Sequence, residues 1–203
     1  MSNRFEQIYA TNEWGSGSGE GSLPMHTLGY VEFLQRFLAE KRISSVVDMG
    51  CGDWQFSRSI QWGSIRYRGY DVVRSVIEEN IKRYSAPNVS FHLYSGNAEE
   101  LPPADLLISK DVLQHLSDNS IGKVLPFLDR FKYSLLTNCV NPRGTTVPMD
   151  IADGDFRYLD LRLPPFSLAA KEVYSFNNAM NPIERLLKGP RWTKRVLLVE
   201  GGA

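Results

Sequence analysis

The amino-acid sequence predicts a single α/β domain, a Rossmann-like three-layer sandwich, and three observations predict it. Short apolar runs alternate with stretches of helical periodicity between residues 44 and 140. That alternation specifies parallel strand pairing with right-handed crossovers and helices on both faces of the sheet. The first apolar run ends in two glycines one residue apart, as a strand does when the chain must turn sharply at the edge where such sheets bind ligands. The chain has 203 residues, 42% hydrophobic and 23% charged. It is therefore of ordinary globular composition and long enough to bury roughly 70% of its unfolded surface.

Taken in order, residues 14–22 (WGSGSGEGS) are too polar and glycine-rich to pack a core and read as a loop. From Tyr30 to about Lys41, the residues Tyr30, Val31, Phe33, Leu34, Phe37 and Leu38 recur at intervals of three and four, the stripe of a buried helix. SSVVDMG (44–50) is a first strand and IRYRGYD (65–71) a second. Val73, Val76, Ile77, Ile81 and Tyr84 mark a crossover helix, after which Val89, Phe91 and Leu93 alternate with Ser90 and His92 as a third strand does. ADLLIS (104–109) is a fourth strand. Asp118 is placed to cap a helix bearing Ile121, Val124, Leu125, Leu128 and Phe131 on one face, with Pro126 expected to kink it. YSLLTNCV (133–140) is a fifth strand. The alternation then stops, and 141–166 is a polar, proline-broken stretch of a length that usually carries function. Asn181, Pro182 and Glu184 open a short helix that Lys188, Gly189 and Pro190 close, and KRVLLVE (194–200) is a final strand.

Composition also sets what is not expected. Twenty-three basic residues balance twenty-three acidic ones, so no global field draws the chain to nucleic acid or to an anionic membrane, and neither partner is expected. The two cysteines, Cys51 and Cys139, lie far apart in apolar or glycine-rich runs and indicate a reduced interior rather than a disulfide framework. No run has the length of a signal peptide's apolar core or of a membrane span, so a cytoplasmic location is expected. No internal repeat or second domain is visible, and nothing in the pattern indicates an oligomeric state.

The informative segment is VVDMGCGDW (46–54). Glycines at the carboxyl end of a first strand let the backbone touch a ligand without a Cβ between them, and the ligand such folds take there is a nucleotide. A dinucleotide fingerprint would place a third glycine three residues after Gly52, where Gln55 stands, and Trp54 is too bulky for close pyrophosphate approach. The Lys and Ser or Thr of a phosphate-cradling P-loop are also lacking. Asp71 closes the second strand nineteen residues after Gly52. A carboxylate there can accept two hydrogen bonds from a ribose diol, each worth about 1.5–3 kcal/mol; taken alone, it could equally cap a helix.

With these residues the sequence resembles the class I S-adenosylmethionine-dependent methyltransferases, whose first motif matches Asp48, Gly50 and Gly52. The resemblance implies S-adenosylmethionine as cofactor and a mostly parallel seven-stranded sheet with an antiparallel C-terminal strand. It places the backbone around Gly50, Cys51 and Gly52 against the methionine part of the cofactor, and Asp71, followed by Val72, at the ribose. GNAEEL (96–101) puts Asn97 and Ala98 where the family contacts adenine, although Asn97 could equally make an ordinary turn. SKDVLQHL (109–116) stands where the family places a variable polar motif beside the transferred methyl, with Lys110 facing the cofactor. The match spans about 44–116. Residues 1–43 are then left for a lid and helix, with Trp14 closing over the cofactor, and 141–193 for substrate recognition.

Methyl transfer is an in-line displacement, so alignment, worth about 7–11 kcal/mol, outweighs a general base at about 3–5 kcal/mol. His115 and Asp111 are the candidate catalytic residues; His115 has the ordinary pKa for a base at neutral pH, yet it could also simply pack its turn. Asp150, Asp153, Asp155 and Asp160 lack a metal-ligand spacing, so no metal is expected and a solvated loop is. Arg157, Tyr158 and Arg162 are candidate acceptor-binding residues. Arg185, Lys188, Arg191, Lys194 and Arg195 around Trp192 form a basic cluster that reads as a solvated connection, with contact to an anionic acceptor or RNA as the alternative. The expected reaction is methyl transfer to a small polar acceptor, a hydroxyl of a saccharide or small metabolite. An N-methyltransferase acting on an amine or protein, and a methyltransferase-like subunit that binds without catalysing, are the alternatives.

Overall fold

The computed structural model describes residues 2–180 and 188–202. The strands are β1 Ser45–Met49, β2 Arg66–Asp71, β3 Val89–Leu93, β4 Ala104–Lys110, β5 Phe131–Val140, β6 Lys171–Asn177 and β7 Thr193–Glu200. They form one sheet in the order β3-β2-β1-β4-β5-β7-β6. Pairing is parallel from β3 through β5, and β7 runs antiparallel to both β5 and β6. The expected Rossmann-like sandwich with its antiparallel C-terminal strand is therefore present. The order reverses between β1 and β4, and their carboxyl ends open the crevice in which such sheets hold ligands.

The helices are α1 Ser2–Ala10, α2 Pro24–Glu40, α3 Arg74–Tyr84 and α4 Asp118–Val124. All five residues of β1 are buried, and alternation sends them to opposite faces. Val46 joins Tyr30 and Leu34 of α2 and Ile108 of β4, whereas Val47 and Met49 join Phe5 and Ile8 of α1 and Ile121 of α4. Fully burying side chains of this size stabilises by about 1.5–3 kcal/mol each. Asp105, in β4, ties the start of β1 into the sheet by accepting the backbone N–H groups of Ser44 and Ser45 at 2.9 and 3.1 Å.

Several expectations need correction. Ser2–Ala10 form α1, whose Phe5 and Ile8 are buried. α2 starts at Pro24 rather than near Tyr30, with the proline at its first turn, where its missing N–H costs nothing. The cap of α4 is Ser117, whose Oγ accepts the Ser120 N–H at 3.3 Å, not Asp118. Pro126 does not kink α4: the helix ends at Val124, the chain tightens into a 3-10 turn over Leu125–Arg130, and Phe131 belongs to β5. β6 lies inside the stretch expected to be a recognition insertion. The helix expected to begin at Asn181, Pro182 and Glu184 lies outside the described residues, as does Arg185. Among the described residues, no helix is long and apolar enough to cross a membrane.

Candidate active site

Gly50 and Gly52 follow β1 with φ of 76° and 52°, a region that disfavours any side chain. Space demands glycine as well, because a Cβ at Gly50 would run into Val112 and one at Gly52 into the hydroxyl of Ser18. The turn they make is tied on all sides. Gly50 and Cys51 both donate their N–H to the Tyr70 carbonyl, at 2.8 and 3.0 Å. Gly52 donates to Asp71 Oδ2 at 2.9 Å, and Asn80 Nδ2 donates to the Gly52 carbonyl at 2.7 Å.

Asp71 ends β2 with its second oxygen accepting the Val73 N–H at 3.0 Å. Burial pushes its carboxyl up to about 6, against the pull of those backbone bonds. Asp48 is also pushed up to about 6 by burial. It lies beneath the turn rather than in the cavity wall, accepting the hydroxyls of Tyr67 at 2.6 Å and Ser57 at 3.2 Å. Burial raises the Cys51 thiol well above its usual range, so it serves as a small residue of the turn and not as a nucleophile.

This turn walls a cavity of about 890 Å³, part of it open to solvent. Gly50, Cys51, Gly52, Asp71 and Val72 form one side, and Lys110, Asp111 and His115 the other. A second cleft of about 860 Å³ lies beyond, lined by Phe156, Tyr158, Trp192 and Lys194. The two share Trp14, Ser18, Asp111 and His115 as a common wall. The strap that joins α1 to α2, residues 11–23, forms its share of that wall because Ser18 donates its hydroxyl to Asp53 Oδ1 at 2.6 Å while accepting from Tyr9.

Asp111 stands just after β4 in a left-handed conformation, φ 61°, a strain that non-glycine residues keep when the surroundings demand it. The Lys110 and Lys194 ammonium groups both bond its Oδ2. Although burial works the other way, the two lysines hold the Asp111 carboxyl down to about 2, and burial brings Lys110 down to about 8. His115 presses its ring on Trp14, and its Nδ1 lies 2.8 Å from the Asp155 carbonyl. A carbonyl only accepts, so Nδ1 carries the proton. Nε2 is then the basic nitrogen, 3.3 Å from the Gln114 amide nitrogen. Burial lowers the His115 pKa and favours this neutral ring.

No family model and no curated sequence matches the chain. Its fold, however, is similar to that of solved methyltransferases. The methyltransferase domain of bacterial CtHen1-C is 15% identical with a TM-score of 0.59, over 85% of this chain and 97% of that one. The magnesium protoporphyrin IX methyltransferase of Synechocystis, solved with bound SAH, is 14% identical with a TM-score of 0.58, over 98% of this chain and 93% of that one. TehB from Haemophilus influenzae is 16% identical with a TM-score of 0.58, over 86% of this chain and 62% of that one. The chain has the class I methyltransferase fold. Within that fold, the turn after β1 and Asp71 lie at the carboxyl edge of the sheet and line one cavity.

Other predicted residues lie elsewhere. Asn97 caps a 3-10 turn by accepting the Glu99 N–H at 3.1 Å, and neither it nor Ala98 lines the cavity, which Gly96 reaches instead. Arg157 lines neither cleft: it is buried, and its two terminal nitrogens bond Asp118 and the Leu116 and Met149 carbonyls. Arg162 is held by Asp160 and Glu172. Of the three, Tyr158 alone lines the outer cleft. The acidic run is not a freely solvated loop. Asp153 accepts the Ser117 N–H and the Ser120 hydroxyl, and Asp160 pairs with Arg162 and Arg195. The solvated reading of the basic cluster fails at Lys194, whose run of basic neighbours suggests surface, yet it is 2% exposed. Only its place in the inward register of β7 could have revealed it.

Proposed function

We propose that the protein is an S-adenosylmethionine-dependent methyltransferase acting on a hydroxyl of a small polar acceptor such as a saccharide. One observation carries the reading: a cavity floored by the glycine turn and a second, aromatic-lined cleft meet at a wall that contains the His115 imidazole, whose unprotonated Nε2 has only the 3.3 Å contact with the Gln114 amide. The residues present fit the cofactor, because the side-chain-free turn offers close backbone contact and the Asp71 carboxylate keeps acceptor capacity beside it. Gly50, Cys51 and Gly52 would bear on its methionine part and Asp71 and Val72 on its ribose, with Trp14 and Lys110 on the remaining walls. When bound, S-adenosylmethionine supplies an electrophilic methyl, whose bond pair stays with sulfur as the acceptor oxygen takes the carbon.

The chain's own residues do the rest. The N-terminal strap and His115 hold the two clefts in register and keep water from the point where they meet, and such alignment is worth about 7–11 kcal/mol. His115 Nε2 exchanges its 3.3 Å contact with the Gln114 amide for the hydroxyl proton, and the Nδ1 bond to the Asp155 carbonyl orients the ring for it. The test is release of S-adenosylhomocysteine from the purified protein given separate pools of hydroxyl compounds and of amines. Release that depends on the hydroxyl pool supports the reading; release with amines alone would reassign the acceptor atom, and none with any pool would leave a binding subunit.

A further inference from the structure

Between the two clefts lies a charge cluster that the alignment of donor and acceptor does not use. Lys110 and Lys194 converge on the single carboxylate of Asp111, and their side chains are 1% and 3% exposed. Two ammonium groups share one carboxylate, and the nearby buried carboxylate of Asp48 acts on Lys110 from beneath the turn, so Lys194 is the cation of the pair left only partly balanced on the outer-cleft side. Among the described residues, the other carboxylate of the outer cleft is Glu20, which is already engaged by Arg191 and faces His26 at 3.3 Å, so it does not supply the balance. An isolated charge removed from water is costly, and proteins pair such groups with a partner or a ligand. At the same wall, the second oxygen of Asp111, Oδ1, is buried with no hydrogen-bond partner among the described residues. It is an acceptor that lacks a donor.

We propose that the acceptor molecule is a polyhydroxy acid, bound in the outer cleft with its carboxylate against Lys194, one hydroxyl donating to Asp111 Oδ1 and the reacting hydroxyl facing His115 Nε2. This rests on the methyltransferase reading and adds the chemical class of the acceptor. A neutral polyol would satisfy Asp111 Oδ1 but leave the lysine charge unmet, and an ammonium compound would add a second positive charge beside it. A polyhydroxy acid meets both needs. Lys194 lines the outer cleft and lies over the Trp192 ring at 4.8 Å. Trp14, Phe156 and Tyr158 provide further flat apolar walls on which a sugar ring can lie.

The experiment uses the full chain saturated with S-adenosylhomocysteine and titrates D-glucuronate and D-glucose as probes, followed by calorimetry and by tryptophan fluorescence. D-Glucuronate is expected to bind about tenfold or more tightly than D-glucose, since a charge-assisted bond distinguishes them. Lys194→Met is expected to erase the difference and Lys194→Arg to keep most of it, with melting temperatures recorded for both. Equal binding of the two sugars by the unmodified protein, no binding of D-glucuronate, or an advantage that survives in folded Lys194→Met overturns the proposal. Binding of S-adenosylmethionine is measured in parallel. Its absence sinks the methyltransferase reading, whereas cofactor binding without a preference for the anion sinks the polyhydroxy acid alone.

Discussion

The rings of Trp14 and His115 lie with centroids 4.8 Å apart and planes tilted by 33°. One comes from the N-terminal strap and the other from the turn after β4, so the strap supports the imidazole as well as covering the cavity. Phe5 and Tyr9 of α1 pack edge-on against the other side of the indole, at 6.1 and 5.9 Å. α1 therefore acts on the site through Trp14.

Removing the indole should loosen the cover. Aromatic pairs contribute about 0.5–1.5 kcal/mol each, so Trp14→Ala should speed release of S-adenosylmethionine roughly two- to tenfold. Stopped-flow displacement measures it; an unchanged off-rate would remove Trp14 from the cover.

Asp71 makes cofactor affinity depend on pH. Burial holds its carboxyl at about 6, and only the ionised form accepts two hydroxyl bonds, so affinity should rise as pH rises through that value. At pH 5 a group of this pKa is about one-tenth ionised, and binding should be about tenfold weaker than near neutrality. Asp71→Asn should flatten the curve in titrations across pH. A slope that persists in the variant would assign the effect to Asp48, which is raised to a similar value but lies outside the cavity.

His115 must be unprotonated to receive a proton, and burial lowers its pKa below the ordinary value. With saturating cofactor, turnover should stay flat through neutral pH and fall only on acidification past that lowered pKa. His115→Ala should cut kcat by about 10²–10⁴-fold and remove this limb of the pH profile. An alanine variant with unchanged kcat would make His115 a packing residue.

Stability has a separate determinant at the far end of the sheet. Asp105 accepts two backbone N–H groups and pairs with Lys132 at 2.6 Å. Although burial works in the opposite direction, these partners hold its carboxyl well below the usual range. A depressed carboxyl stabilises above its unfolded pKa near 4, and the contribution is lost as pH falls below that. Lys132 is exposed and adds little, so the cost of Asp105→Ala, about 2–4 kcal/mol in chemical denaturation, should come from the orphaned N–H groups. An unchanged midpoint would contradict that origin.

The parts of the fold legible in the sequence are those whose residues meet the core on a regular period. Val46 and Val47 followed by glycines announced β1 and its turn, and the spacing to Asp71 pointed to the site. α1 was missed although Phe5, Ile8 and Tyr9 stand at helical spacing, because polar residues fill its other faces. β6 is an edge strand, half-exposed and interrupted by a bulge between Glu172 and Tyr174, so its alternation is blurred. Arg157 and Lys194 misled for a common reason. A buried cation is recognisable only by the partners that the fold brings to it, and those lie 39 and 83 positions away in the chain.

The most direct measurement is calorimetric titration of the purified chain with S-adenosylmethionine, repeated on Asp71→Ala. Saturable one-to-one binding, weakened about tenfold or more in the variant by loss of two charge-assisted bonds, is expected. No heat and no thermal shift with the unmodified protein, or equal affinity in both, would contradict the assignment of the glycine turn and Asp71 as the cofactor site.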